Sequence, residues 1–356
     1  MRRAFLFASA VLLSAAIHAA EPPPDLFSQA VKDADSEIKK GHFKEGMTLL
    51  RTAAQAGDAS AEYGLAHYLT KGLGHAEALD GAKGYAVRDV SEADRLEAAA
   101  WMNKAADQNY PLAQAELGWQ YEMGNPLPRH PRLARDYYAA LDSKGAVSGH
   151  RGTVRANAAL GKWATIAPTA DEAQADHKLA AQDYAGAASL YLKAAQDGSA
   201  SAAYEYAILC ERGLGVSRNA EEAKKWLISS ADQGYPPAQL DLGRNRLVAG
   251  KDKLAWLTKA ADAGSPQAQY WLGQASLQGR DGAVKDEAAG WALLKKAAVQ
   301  EETFAKLALA GAYLRGGVED FPKDTDKALT LAVEAAQDGN PVAAEFMAAI
   351  AGERGK

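Results

Sequence analysis

Residues 256–273 read WLTKAADAGSPQAQYWLG, and similar strings occur at 101–118 (WMNKAADQNYPLAQAELG) and at 226–243 (WLISSADQGYPPAQLDLG). All three strings keep a tryptophan, an Ala-Asp pair, a proline, an Ala-Gln pair and a final Leu-Gly, while the letters between them vary. Because many spaced positions recur together, the string indicates a structural repeat.

The repeat extends along most of the chain. Each unit carries a large apolar residue followed eight residues later by a residue that we call the terminator, found at positions 57, 109, 145, 198, 234, 264, 301 and 339. The terminators are spaced by 52, 36, 53, 36, 30, 37 and 38 residues, which gives a period near 36. The two long intervals predict insertions, which we place in lengthened loops near 74–96 and 161–178.

Each unit predicts two short helices. The segment before a terminator, such as 221–234, has apolar residues at helical spacing and ends in a residue that tolerates a left-handed C-cap; we name it helix B. After a short turn, a second segment such as 268–279 predicts helix A of the next unit. Gly243 and Gly273 lie inside such A helices, so we expect a neighbouring helix to approach closely there. Helices this short are stable only when stacked, and the sequence predicts an all-α fold, an α-solenoid or superhelix of antiparallel helix pairs.

The pattern A-x-x-x-L-G-x-x-Y-x-x-G, a loop, and then A-x-x-W-x-x-K-A-A-x-x-G resembles the Sel1-like repeat, a relative of the tetratricopeptide repeat. The resemblance is clearest at 201–343 and also covers 61–145, whereas 146–200 is degenerate. The residues that carry it in one unit are Ala202, Ala207, Gly213, Gly215, Ala223, Trp226 and Gly234.

Residues 1–20 have the pattern of a signal peptide, because two arginines precede an apolar run that ends in small residues. We expect the mature chain to begin with a Pro-containing linker over 21–36, to continue as a solenoid over 37–350 and to end in a tail over 351–356. No later segment predicts a transmembrane helix. The expected location is the periplasm, with secretion as the alternative.

Charge and cysteine content restrict the partners. The formal net charge is −5, and loss of the two N-terminal arginines lowers it to −7. With no basic run, this balance argues against nucleic acid and anionic membranes as partners. Cys210 is the only cysteine, so we expect it to be a buried apolar residue and the fold to rest on burial rather than on a disulfide.

Motifs for catalysis, metals and cofactors are absent from the sequence, and none of these is predicted. The histidines form no H-E-x-x-H motif, and Asp324 or Thr325 is expected to cap a helix B. Ser36 and Lys39 match S-x-x-K, a string of β-lactam-binding enzymes, but the companion strings S-D-N and K-T-G are missing. A cell-wall-directed hydrolase of that kind is the alternative hypothesis.

The resemblance implies that A helices line a concave groove, and the first hypothesis is a non-catalytic scaffold that binds a protein or peptide there. Its role would be that of an adaptor, assembly factor, regulator or toxin-neutralising immunity protein of the cell envelope. Trp119 is the strongest candidate, because Leu117 and Tyr121 take the inward positions around it. Packing between repeats is the alternative for the three tyrosines of the set. The predicted groove residues are Tyr63, His67, Lys71, Trp119, Glu122, Tyr204, Glu211, Arg212, Arg244, Tyr270, Gln274 and Arg315.

Overall fold

The computed structural model describes residues 26–73, 90–125, 127–244, 250–318, 320–338, 340 and 342–354. Over these ranges the chain forms eighteen α-helices and one 3-10 helix, Gly161–Thr165, and no extended strand. None of these helices is both long enough and apolar enough to cross a bilayer. The α-helices are α1 Gln29–Lys40, α2 Phe43–Gln55, α3 Ala59–Leu69, α4 Glu92–Asp107, α5 Pro111–Met123, α6 Pro131–Asp142, α7 Val147–Leu160, α8 Ala170–Ala180, α9 Tyr184–Gln196, α10 Ala200–Arg212, α11 Ala220–Asp232, α12 Pro236–Arg244, α13 Gly250–Asp262, α14 Pro266–Gln278, α15 Glu287–Val299, α16 Thr303–Arg315, α17 Thr325–Gln337 and α18 Ala343–Arg354.

The terminators end the B helices, as the sequence predicts. In each case the residue after the terminator donates its backbone N–H to the carbonyl four residues before the terminator, for example Tyr235 to Ser230 at 3.2 Å. This pairing satisfies carbonyls that the helix end leaves free, and it requires a left-handed residue at the turn. The seven described terminators all have positive φ: Gly57 (88°), Asn109 (62°), Gly145 (76°), Gly198 (99°), Gly234 (84°), Gly264 (98°) and Glu301 (67°). Position 339 lies outside the described residues.

The glutamine of the repeated Ala-Gln pair ties each A helix to the B helix before it. The side-chain Nε2 of Gln239 donates to the carbonyl of Ala231 at 3.0 Å, three residues before the terminator. Gln269 makes the same bond to Ala261 at 3.3 Å. Both glutamines are buried, and a buried amide without a partner is costly, so the bond explains why a polar letter recurs inside the joint.

The glycines inside the A helices allow close packing of the paired B helix. A β-carbon on Gly243 would lie 2.6 Å from Leu257 of α13. One on Gly273 would lie 3.0 Å from the backbone carbonyl of Gly290 in α15. The expected close approach is therefore confirmed at both positions.

The chain divides into two compact units. Among the described residues, the N-terminal unit comprises 26–117 together with 180–182, and in it α1 packs on α2, α2 on α3 and α3 on α4. Helix α1 begins at Gln29, so the predicted linker over 21–36 is wrong for residues 29–36. Its apolar face is buried: Ile38, for instance, lies against Gly46 of α2. The first insertion falls mainly on 74–89, outside the described residues, and α4 follows it with Ser91 as its cap.

The C-terminal unit contains 118–179 and the described residues from 183 onward. Here α10 packs with α11, α12 with α13, α14 with α15 and α16 with α17. Cys210 is buried and Asp324 caps α17, as expected. The loop predicted over 161–178 is wrong, because this stretch forms the 3-10 helix and most of α8. The extra residues thus build a third helix between terminators 145 and 198.

Candidate functional site

Helix α7 and the 3-10 helix after it, residues 147–165, form a segment that we call the strap. In the C-terminal unit α7 contacts the A helices α12 and α14. The strap also contacts four successive turns between B and A helices. Residues further along the strap contact turns that lie earlier in the sequence. These contacts are Arg151 Nη1 to Gln337 Oε1 at 3.1 Å, Arg155 Nη1 to the Glu301 carbonyl at 3.2 Å, Gly161 against the Ala263 carbonyl, and Trp163 Nε1 to the Gly234 carbonyl at 3.2 Å.

Arg155 is the central polar contact of the strap. It is 1% exposed, and it donates from Nε to Glu122 Oε1 at 2.5 Å and from Nη2 to Glu122 Oε2 at 2.8 Å. Tyr138 donates its hydroxyl to the same carboxylate at 2.9 Å. Burial disfavours the guanidinium charge, but Glu122 and Tyr138 outweigh it and hold the pKa of Arg155 well above its usual range. The strap is therefore fixed by a buried bidentate ion pair.

Three further arginines, two that precede the strap and one within it, form ion pairs with carboxylates of the same unit. All four side chains come from residues 129–155, and each meets a carboxylate of an A helix, of α8 or, for Arg151, of the C-cap of the B helix α17. The other pairs are Arg129 with Asp241 at 2.5 Å, Arg132 with Glu172 at 2.7 Å and with Asp176 at 3.0 Å, and Arg151 with Asp338 at 3.5 Å. This part of the predicted groove is filled by the protein itself.

A histidine–glutamate pair lies inside this filled region. His130 Nε2 is 3.0 Å from the Tyr191 hydroxyl, 3.2 Å from Asp176 and 3.7 Å from Glu205. Burial raises the pKa of Glu205 to about 7. Burial lowers the pKa of His130, but Glu205 and Asp176 more than offset it, so the net shift is upward. The charge of the interior therefore changes near neutral pH.

Three of the predicted groove residues are buried. Glu122 holds Arg155, and Tyr204 donates its hydroxyl to Asp241 at 2.8 Å. In the N-terminal unit, the Tyr63 ring lies 5.5 Å from that of Tyr110, and burial raises its pKa. These side chains pack inside their units and present no surface to a partner.

The other nine predicted residues keep some exposure. His67, Lys71, Trp119, Tyr270 and Gln274 are half-buried, whereas Glu211, Arg212, Arg244 and Arg315 are exposed. In the N-terminal unit, burial and the charge of Lys71 lower the pKa of His67 to about 4, so this ring is neutral at physiological pH.

An arginine–aromatic cluster lies on the exposed part of the A-helix face in the C-terminal unit. The Arg244 guanidinium is 5.0 Å from the ring centroid of Trp271, which is 38% exposed. The Trp271 ring meets Tyr270 edge-on at 5.3 Å, and Tyr270 lies 5.9 Å from Phe304. Burial and the charge of Glu302 raise the pKa of Tyr270, while the charges of Arg244 and Arg280 act in the opposite direction. We define the cluster as Arg244, Tyr270, Trp271, Arg280 and Phe304.

Sequence reasoning missed Trp271, Arg280 and Phe304. A signal for Trp271 was present, because the residue before Leu-Gly is Glu116 or Asp241 in the other two copies of the string. Trp271 replaces an acidic residue at this position of the A helix, so the surface there is aromatic rather than negatively charged. No comparable pattern distinguishes Phe304.

The residues considered for chemistry lie on the surface of the N-terminal unit. Ser36 and Lys39 are both exposed on α1. Within the described ranges, one group of side chains could hold a metal ion, Glu37, His42 and Glu45, and Glu37 there is already paired with Lys40 and His42. Exposed groups of this kind are common without an ion.

Stacked two-helix repeats with a characteristic Trp, Ala-Gln and Leu-Gly joint define an α-solenoid of the class that serves as a scaffold for protein interactions. More than half of the chain matches the Sel1 repeat, and the chain belongs to the Sel1 repeat family. The family typically forms non-catalytic scaffolds. The strap lies outside the matched segments, which are 87–110, 111–140, 179–199, 200–235, 254–265, 266–300 and 304–340.

Two solved structures are similar to the chain. One is a protective antigen present in uropathogenic Escherichia coli strains that displays an SLR fold, with 21% identity and a TM-score of 0.44 over 91% of this chain and 67% of that one. The other is a Sel1 repeat protein from Oxalobacter formigenes, with 23% identity and a TM-score of 0.42 over 73% of this chain and 84% of that one. Comparison with curated proteins gave no match.

Proposed function

We propose that this protein is an exported, non-catalytic scaffold that binds another protein of the cell envelope. The binding surface is the part of the A-helix face of the C-terminal unit that the strap leaves exposed. The observation that carries the proposal is the arginine–aromatic cluster, since Trp, Tyr and Arg are the side chains that most often anchor protein interfaces. Of the residues predicted from the sequence, Arg244, Tyr270 and Gln274 belong to this part of the unit.

Site-specific photo-crosslinking tests the surface directly. A photoreactive amino acid is placed at Gln274 on the A-helix face or at Lys225, which is exposed on the B helix α11. We expect a crosslinked partner from position 274 and none from position 225. A partner captured only from position 225 would move the binding surface to the B helices. The identity of the partner then separates an assembly factor from a regulator or an immunity protein.

Export is proposed from the signal-peptide pattern of residues 1–20. The mass of the protein purified from the periplasmic fraction should correspond to a chain beginning at Glu21. A chain that keeps Met1 and remains in the cytoplasm would contradict this part of the proposal.

A further inference from the structure

We infer that the arginine–aromatic cluster binds an acidic segment of the partner protein, in which carboxylates alternate with apolar side chains. This inference rests on the proposed function and specifies the chemistry of its partner. The filled part of the A-helix face pairs acidic sites with arginines of the chain itself, whereas the exposed part presents arginines of its own. The arginines of the cluster therefore favour a partner segment that carries carboxylates.

Arg244 is positioned for an outside carboxylate. Its guanidinium lies over the Trp271 ring at 5.0 Å, which restricts the side chain without using its hydrogen-bond donors. Asp241, three residues earlier, already accepts from Arg129 and from Tyr204. Among the described residues, no carboxylate forms an ion pair with Arg244. A planar guanidinium held in this way offers two parallel donors to a carboxylate.

Arg280 supplies a second cation. It follows the C-cap Gly279 of α14, it is exposed, and no described carboxylate forms an ion pair with it. The charges of Arg244 and Arg280 both act to lower the pKa of Tyr270, against burial and Glu302, which raise it. Two arginines together with an aromatic surface match a segment in which carboxylates alternate with apolar side chains.

The aromatic members of the cluster favour a peptide as the occupant. Trp271 and Tyr270 form a continuous ring surface with Phe304, and the exposed part of Trp271 offers an apolar contact. Single-stranded nucleic acid also uses arginines and aromatic rings, but its phosphates require a groove of many cations. The cluster holds two arginines, which can pair with two carboxylates but form no groove of many cations for phosphates, so a carboxylate-bearing peptide is the better match.

The probe is a fluorescein-labelled peptide in which pairs of glutamate alternate with leucine. A matched peptide carries glutamine at every glutamate position, and an oligothymidylate of equal length represents nucleic acid. The proteins are the wild type, the double variant Arg244→Gln/Arg280→Gln and the variant Trp271→Ala. The control variant Arg95→Gln/Lys225→Gln removes two exposed charges from B helices. Circular dichroism melting of each variant verifies the fold, and fluorescence anisotropy measures binding.

We expect the glutamate peptide to bind the wild type, with an affinity that falls as salt is added. Each cluster variant should weaken binding at least about tenfold, which is the loss expected when an anchor residue of an interface is removed. The control variant should bind within about twofold of the wild type. The inference is overturned if the glutamate peptide fails to bind, if the glutamine peptide binds equally well, if the cluster variants bind like the wild type, or if the oligothymidylate binds more tightly. A crosslink from position 274 in any of these cases would retain the proposed function and remove only the acidic specificity.

Discussion

Replacing Arg155 with methionine should destabilise the C-terminal unit by an amount that the structure allows us to work out. The substitution keeps an unbranched side chain in place of the aliphatic part of arginine and removes the guanidinium. Glu122, which is 6% exposed, then loses the two donors that compensate its burial. It retains the Tyr138 hydroxyl at 2.9 Å and Gln267 Nε2 at 3.2 Å, both of them neutral donors.

Breaking a buried ion pair by removing one partner generally costs about 3–5 kcal/mol. Because two neutral donors remain on Glu122, we expect a loss near the lower limit, about 3 kcal/mol. Converting the carboxylate as well, in Arg155→Met/Glu122→Gln, removes the uncompensated charge. The double variant should therefore lose only about 1 kcal/mol, so the two substitutions are strongly non-additive.

Urea unfolding followed by circular dichroism measures Arg155→Met, Glu122→Gln and the double variant, with Arg135→Met as the control. Arg135 is a partly exposed arginine of α6 that pairs with its neighbour Asp136 and donates from Nη1 to the Ala164 carbonyl of the strap at 3.0 Å, so it reports the cost of losing a strap contact that is not fully buried. Its loss should cost less than about 1 kcal/mol. The reasoning is refuted if Arg155→Met costs no more than the control, or if Arg155→Met and Glu122→Gln add independently.

Three other perturbations test the repeat and its interior. Asn109→Ala should cost about 1 kcal/mol, because alanine tolerates the left-handed φ of 62° poorly, whereas Asn109→Gly should not destabilise; equal midpoints in urea would contradict this. Gly273→Ala should cost about 1–3 kcal/mol, because the new β-carbon would lie 3.0 Å from the Gly290 carbonyl. Gly311→Ala should be tolerated, because its β-carbon would have no neighbouring atom closer than 3.3 Å. Thermal melting compares the two variants. Stability should fall as pH rises from about 4.5 to 7, because the folded chain holds a proton on Glu205, whose pKa is raised to about 7, that the unfolded chain releases near 4.5. Burial also raises the pKa of Glu302 to about 7, so Glu205→Gln should reduce this slope and Glu205→Gln/Glu302→Gln should reduce it further. An unchanged slope between pH 4.5 and 7 in both variants would contradict the prediction.

The repeat was predictable because its determinants are local. A terminator such as Gly234 needs only its own φ and the bond from Tyr235 to Ser230, and both lie within one turn of the chain. The close approach at Gly273 was also predictable, since a glycine inside a helix is unfavourable unless packing requires it. The terminator recurs in every unit and the helix glycine in all three copies of the string, so these local signals reinforce one another.

The strap was not predictable, because it depends on pairs that are far apart in the chain. The strap begins directly after the terminator Gly145, which is where an ordinary unit begins its A helix, so the sequence gives no sign of a different element. Nothing in the neighbourhood of Arg155 indicates that Glu301 and Asp338 will surround it. For the same reason Glu122, placed by repeat position on an open groove, is in fact the buried partner of an arginine 33 residues later.

The strap also limits how this array can change in evolution. Solenoids commonly gain and lose units, because each repeat contacts only its neighbours. Here the strap meets the turns at Gly234, Ala263, Glu301 and Gln337 with contacts spaced along a single segment. Deleting one unit between α11 and α17 would leave the strap too long by the distance between two successive turns, and duplicating one would leave it too short by the same distance. The length of the strap therefore fixes the number of repeats in the C-terminal unit.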